Sequence, residues 1–298
     1  MQKELLIAIA AGLGGMIGWG SADFFAKKTI DKIGAIASLV WAHLFGTLIL
    51  VLFALLQFIF IGKFINIPNS PLVWVGLILF GTLQMIVYWL VYEGFGKGQI
   101  SVLNPIFASF AGIVALVSII FFGEQVSTLK IFSLIILFAG VILISTDLSD
   151  LRSRRIKFDH IPGFKEVGIA TILAAFWTLG WDKFVDGKDW LSYALFMYTF
   201  MTVAAFLVSK IMKTKFKVVK SNLWKYLILI GLGEAVAYSA ISLGYASTHF
   251  VSVVALISGA FSLPTIVLAR LFLKEKVSMA QTVGSGIIIL GIILLALK

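Results

Sequence analysis
The chain contains its own plan twice, so two like halves must fold alike and pack on one another. Trp74-Val75-Gly76-Leu77-Ile78 lies over Trp224-Lys225-Tyr226-Leu227-Ile228 at an offset of 150 residues (224 less 74). At the same offset Gly81 meets Gly231, Gln84 meets Glu234, Tyr88 meets Tyr238 and Gly94 meets Gly244. One inserted residue later, Ser101 meets Ser252, Glu124 meets Glu275, Ser127 meets Ser278 and Gly140 meets Gly291. Stacked solenoid repeats run to roughly 20–50 residues, so a unit this long is half a molecule.

Composition names the solvent. Hydrophobic residues make up 60% of the chain and charged residues 13%. Soluble domains hold roughly 45–50% and 25%. With a mean hydropathy of +1.06, this is an integral membrane protein. The net charge of +10 does not point to nucleic acid, because the basic residues sit in short loops between apolar runs. With no cysteine, thiol catalysis and thiolate metal sites are excluded. Met1-Gln2-Lys3-Glu4 before an apolar run resembles a signal peptide, but the run has a counterpart in the second half and is read as a span.

Runs long enough to cross about 30 Å of hydrocarbon predict helices over 5–25, 36–60, 72–93, 100–122, 128–146, 166–184, 190–211, 223–245, 251–273 and 278–297. The fold class is therefore all-α and polytopic: ten transmembrane helices as two five-helix repeats. The first repeat covers 1–147, a basic connection 148–165, and the second repeat 166–298. Five is odd, so the second repeat enters the membrane in the opposite sense and the repeats are inverted. Of the 24 basic residues, 18 fall in loops after odd-numbered spans. The positive-inside rule makes those loops cytoplasmic and puts both termini outside.

Over nearly its whole length the sequence resembles the drug/metabolite transporter superfamily, in particular ten-helix EamA-type transporters. The resemblance is carried by Trp19-Gly20, by Phe122-Gly123-Glu124-Gln125-Val126-Ser127 and by the matching Leu271-Phe272-Leu273-Lys274-Glu275-Lys276-Val277-Ser278. It implies alternating-access transport of a small metabolite, with the site between the halves. It also implies both termini inside, against the charge count, which we follow. The family often has paired prolines in the fourth and ninth spans. Here one remains in each, Pro105 and Pro264, and they predict kinks at non-equivalent depths.

Ionisable groups within the hydrocarbon cost on the order of 2.5–3.5 kcal/mol, so each needs a partner or a wet cavity. Glu234 is the deepest, with Tyr238 one turn on, and its repeat mates are Gln84 and Tyr88. Two readings stay open for it: a ligand- or proton-binding group, or a carboxylate bonded to a neighbouring helix. Asp23, one turn after Trp19, is matched by Asp182 with Thr178, beside Trp177 and Trp181. For the aspartates a gating or substrate-binding role stands against a solvated anchor. His43 aligns with Tyr198 and Thr47 with Thr202, and Asn104 adjoins Pro105. Trp41, Trp74, Trp190 and Trp224 read as interfacial belt residues. Gly12, Gly14, Gly15 and Gly18 read as sites of close helix packing. Glu124 and Glu275 read as caps on the helices that follow them.

The leading function is a secondary transporter exporting a small amino-acid-like or amine metabolite, with proton coupling through Glu234. An uncoupled facilitator is the alternative, and a membrane-embedded enzyme or a scaffold ranks lower. No nucleotide motif, metal-ligand set or cofactor motif is visible. The expected partners are a small-molecule substrate, a proton and the lipid bilayer, with no nucleic acid. The chain is expected to be a monomer in the plasma or inner membrane.

Overall fold
The computed structural model describes residues 2–98, 100–144, 162–214, 216, 219–273 and 278–296. Glu275, His160 and the Pro105 side chain lie outside the described groups. Among the described residues every regular element is a helix. The first half holds α1 (Gln2–Ile33), α2 (Ala35–Ile61), α3 (Pro71–Lys97), α4 (Ile100–Ala108), α5 (Phe110–Ile120) and α6 (Thr128–Ile144). The second holds α7 (Phe164–Val185), α8 (Trp190–Ile211), α9 (Ser221–Ser247), α10 (Val251–Gly259), α11 (Ser262–Leu273) and α12 (Met279–Ala296). Counting α4–α5 and α10–α11 as one each, the described residues form ten helical segments, six of them long and apolar enough to cross a membrane. Lipid offers backbone groups no hydrogen bonds, so each span closes its own.

Local signals place the ends. Gly34, at φ 89°, lets α1 and α2 meet in a one-residue turn, and Gly62, at φ 71°, closes α2 by donating to the Phe58 carbonyl. Pro71 opens α3, where its missing N–H would have had no partner. α1 runs past the predicted 5–25 because its polar end is held: Lys27 Nζ donates to the Phe95 carbonyl at 3.0 Å.

The halves pack about a two-fold relation, and the main contacts between them have counterparts. α1 on α9 is matched by α7 on α3, and α2 on α9 by α8 on α3. α2–α8 and α6–α12 are their own mates, and the broken fourth span packs on the broken ninth through α5 and α10. The match reaches single atoms. A Cβ on Gly81 would lie 2.5 Å from the Met197 carbonyl oxygen and 2.8 Å from the Met201 nitrogen. On Gly231 it would lie 2.7 Å from the Ala42 oxygen and 2.6 Å from the Gly46 nitrogen. Ala42 and Gly46 are the repeat mates of Met197 and Met201. Trp74 packs on Phe196 and Phe200 at 4.9 and 6.2 Å, and Trp224 on Trp41 and Phe45 at 5.0 and 6.0 Å, again equivalent positions. These tryptophans, read as interfacial, thus also join the halves. The glycine row of α1 behaves as expected: a Cβ on Gly12, Gly14, Gly15 or Gly18 would meet α9 or α10 within 2.4–2.7 Å.

Two expectations need correction. The interruptions of the fourth and ninth spans do not fall at different depths. They fall at Ser109 and at Ala260–Phe261, which the repeat offset makes equivalent, although Pro105 and Pro264 are not. Pro264 sits in the first turn of α11, where a missing N–H leaves no bond broken. The break position therefore follows the shared packing plan of the halves and not the proline register. Glu124 is indeed a cap, but of another helix. It accepts the Ser252 amide at 2.9 Å and the Ser252 hydroxyl at 2.5 Å, holding the start of α10 in the opposite half.

Candidate functional site
Four helices bring polar side chains to the seam between the halves. Residues four apart share a helix face, so α3 offers Gln84, Tyr88 and Tyr92, and α9 offers Glu234, Tyr238 and Ser242. α2 contributes His43 and Thr47, and α8 contributes Tyr198 and Thr202. Positions that correspond in the two copies meet here. Thr47 and Thr202 hydroxyls share a hydrogen bond of 2.8 Å. Gln84 Nε2 donates to the Tyr238 hydroxyl at 2.6 Å, and the Tyr88 and Tyr238 rings lie 6.4 Å apart.

Glu234 is fully buried. Tyr198 donates its hydroxyl to Glu234 Oε2, and Tyr92 reaches Oε1 at 3.5 Å. His43 Nε2 lies 3.1 Å from Oε2 but is too poorly aligned for a full hydrogen bond, and its Nδ1 has no partner. Tyr92 and His43 come from the first half and Tyr198 from the second, so one carboxylate ties both halves together. A buried carboxylate without such donors would cost several kcal/mol, roughly the penalty of an unpaired ion.

Beside this network lies a small cavity of about 20 Å³, lined by Trp19, Asp23, Gln84, Tyr88, Phe107, Phe110, Trp177, Thr178 and Phe261. It has room for about one water and is too small for a metabolite. Asp23 Oδ2 accepts from Asn104 Nδ2 at 3.3 Å, and Ser262 donates to Asn104 Oδ1. Gln84 Oε1 and Trp19 Nε1 are buried without a hydrogen-bond partner. The cavity thus presents a carboxylate and a free amide oxygen among aromatic faces. That set suits a ligand rich in N–H donors.

The predicted residues separate into three places. Trp19, Asp23, Gln84, Tyr88 and Trp177 line the cavity, and Asn104 supports Asp23 from behind. Glu234, Tyr238, His43 and Tyr198 form the network next to it. Asp182 lies elsewhere, in a larger open cavity at the end of α7. Trp181 stacks on Trp177 at 5.5 Å and donates to the Ser242 hydroxyl at 3.1 Å, as a packing residue. Sequence reasoning missed Tyr92, although its spacing from Gln84 and Tyr88 marks the same face. It also missed Phe107, Phe110 and Phe261, which carry no polar signal.

The EamA-like transporter family matches residues 6–146 and again 167–297. The chain belongs to the EamA-like transporter family. It is a multi-pass membrane protein of a family that transports small molecules, and the double match is the duplication seen in the sequence. No curated protein matches the chain in sequence. A solved structure described only as "Crystal structure of protein" shares the fold, with a TM-score of 0.72 over 96% of this chain and 95% of that one. At 13% identity the likeness is one of fold alone.

Proposed function
We propose that this transporter exports a small amine or amino-acid-like cation by alternating access, with Asp23 facing the ligand and Glu234 carrying a proton. The observation that carries the reading is the buried Glu234 carboxylate shared by donors from both halves. Tyrosine hydroxyls both donate and accept, so Tyr198 and Tyr92 can serve the carboxylate or, after reorientation, the neutral acid. Protonation then changes the charge at the seam without unmaking the network. Asp23 and Gln84 line the cavity and Glu234 does not, which separates ligand binding from proton carriage. Opening the cavity to hold a metabolite requires one five-helix bundle to rock against the other. The basic loops are proposed to be cytoplasmic, with both termini outside, in the plasma or inner membrane.

Uncoupled facilitation is the second reading, favoured by the way the tyrosines already satisfy Glu234. Flux of candidate amines into reconstituted vesicles, measured against an imposed pH gradient, separates the two. Glu234→Gln is expected to keep exchange but lose the response to the gradient. A pH response equal to wild type in Glu234→Gln refutes coupling through this residue. Asp23→Asn is expected to abolish flux of cationic substrates.

A further inference from the structure
At the end of the bundle that carries the chain termini, a cavity of about 420 Å³ opens between the ends of α5, α7 and α9 and the start of α10. Its volume lies within the roughly 300–1,000 Å³ of small-molecule sites. The carboxylates of Glu124, Asp182 and Asp186 line it, against Lys183 and His249. Glu124 is committed to Ser252, as described. Asp182 is the carboxylate aimed inward: it is buried, yet it faces the cavity.

The cavity already holds an ammonium group. Lys183 Nζ sits 3.2 Å from Asp182 Oδ2 and 5.0 Å from the centroid of the Phe122 ring. A carboxylate and an aromatic face therefore clamp a primary ammonium supplied by the chain itself. The Lys183 side chain is 60% exposed, so its flexible stem can swing to solvent. A second, independent feature points the same way. Ser118 also lines the cavity, and its Oγ is buried without a hydrogen-bond partner. A ligand N–H reaching past the clamp would satisfy it.

We propose that this vestibule is a second binding site, for a primary alkylammonium ligand, and that Lys183 is its tethered competitor. The ligand's ammonium displaces Lys183 Nζ from between Asp182 and Phe122, and Ser118 takes a further N–H. The proposal rests on the reading that the transported metabolite is cationic, and adds a staging site on the way to Asp23. Asp182 and Asp23 are the late aspartates of the first helix of each repeat, Asp182 in the large vestibule and Asp23 in the small central cavity.

The test is a saturation-transfer NMR titration of putrescine on purified full-length protein in detergent at low ionic strength, with thermal unfolding as the folding check. The Asp23→Asn background removes the central carboxylate, so binding seen there reports the vestibule. In that background Asp182→Asn is expected to weaken the apparent Kd about tenfold, the loss of one charge-assisted contact. Lys183→Gln is expected to tighten it severalfold, whereas Lys183→Arg, still a competitor, should match the parent. A purely structural role for Lys183 predicts no tightening. Absence of saturable putrescine binding, or an unchanged or weaker Kd in Lys183→Gln, overturns the proposal. Acetate binding that is lost in Lys183→Gln would mark an anion site and overturn it too. Should Asp182→Asn fail to fold, the contrast between Gln and Arg at position 183 decides alone. Asp23-dependent flux without vestibule binding would sink this inference and leave the proposed function standing. Vestibule binding without Asp23-dependent flux would do the reverse.

Discussion

The two-fold relation makes a quantitative demand on four glycines. Gly81 and Gly231 are repeat mates, and a Cβ on either would lie 2.5–2.8 Å from backbone atoms of the helix across the seam. Ordinary contact distances are about 3.5–4.0 Å, so Ala at either site falls short by roughly 1 Å. The obstructing atoms are backbone and cannot turn aside, so α3 must retreat from α8, or α9 from α2. Such overpacking costs about 1–3 kcal/mol, and the cost should be alike at the two sites because the obstacles are alike. At Gly168 in α7 and Gly286 in α12, an added Cβ would have no neighbouring atom within 4 Å. There Ala gains helix propensity, a stabilisation of roughly 0.5–1 kcal/mol. Reversible unfolding in mixed micelles, followed by tryptophan fluorescence, measures all four variants. Two losses of similar size and two small gains are expected. If Gly81→Ala behaves like Gly168→Ala, or if Gly81→Ala and Gly231→Ala have opposite signs, the packing argument is wrong.

Two further predictions concern loops outside the spans. Asp189 gains from burial a push upward, but hydrogen bonds from Lys63 and Ser192 outweigh it and hold the carboxyl below its ordinary value. Its stabilisation is therefore present above the unfolded value of about 3.9 and lost as pH falls through the lower folded value. Lys63→Met should lower the melting temperature at neutral pH and flatten its fall in acid, as read by thermal melts across a pH series. Burial raises the Glu124 carboxyl above its ordinary value, although the Ser252 bonds pull it down. Its contribution is then fully present below the unfolded value of about 4.3 and lost as pH rises through the folded one. Glu124→Gln can keep both bonds to Ser252 without burying a charge. It should melt higher than wild type at pH above neutrality and no higher in mild acid, and a lower melting temperature at both would contradict the assignment.

The sequence by itself determined the solvent, the helical class, the duplication and its inversion. Lipid forbids unpaired backbone, so ten long apolar runs leave no other architecture, and an odd count per copy sets the sense of the second. It also marked Gln84, Tyr88, Glu234 and Tyr238 as one group, since spacing by four fixes a shared face. Only the tertiary structure decided which group each of these meets. Glu234 meets Tyr198, Tyr92 and His43, while Gln84 meets Tyr238. Asp23 bonds Asn104, whereas Asp182, the late aspartate of the other repeat, lies in the larger vestibule clamped to Lys183. Glu124 reaches across the seam to Ser252 and leaves its own following helix uncapped by it. The reason is physical. Helices in lipid are apolar on most of their surface, so they carry no amphipathic stripe to say which face turns inward. Rotation and crossing are set by small residues and side-chain fit between segments distant in the chain, and those appear only when the two halves are packed together.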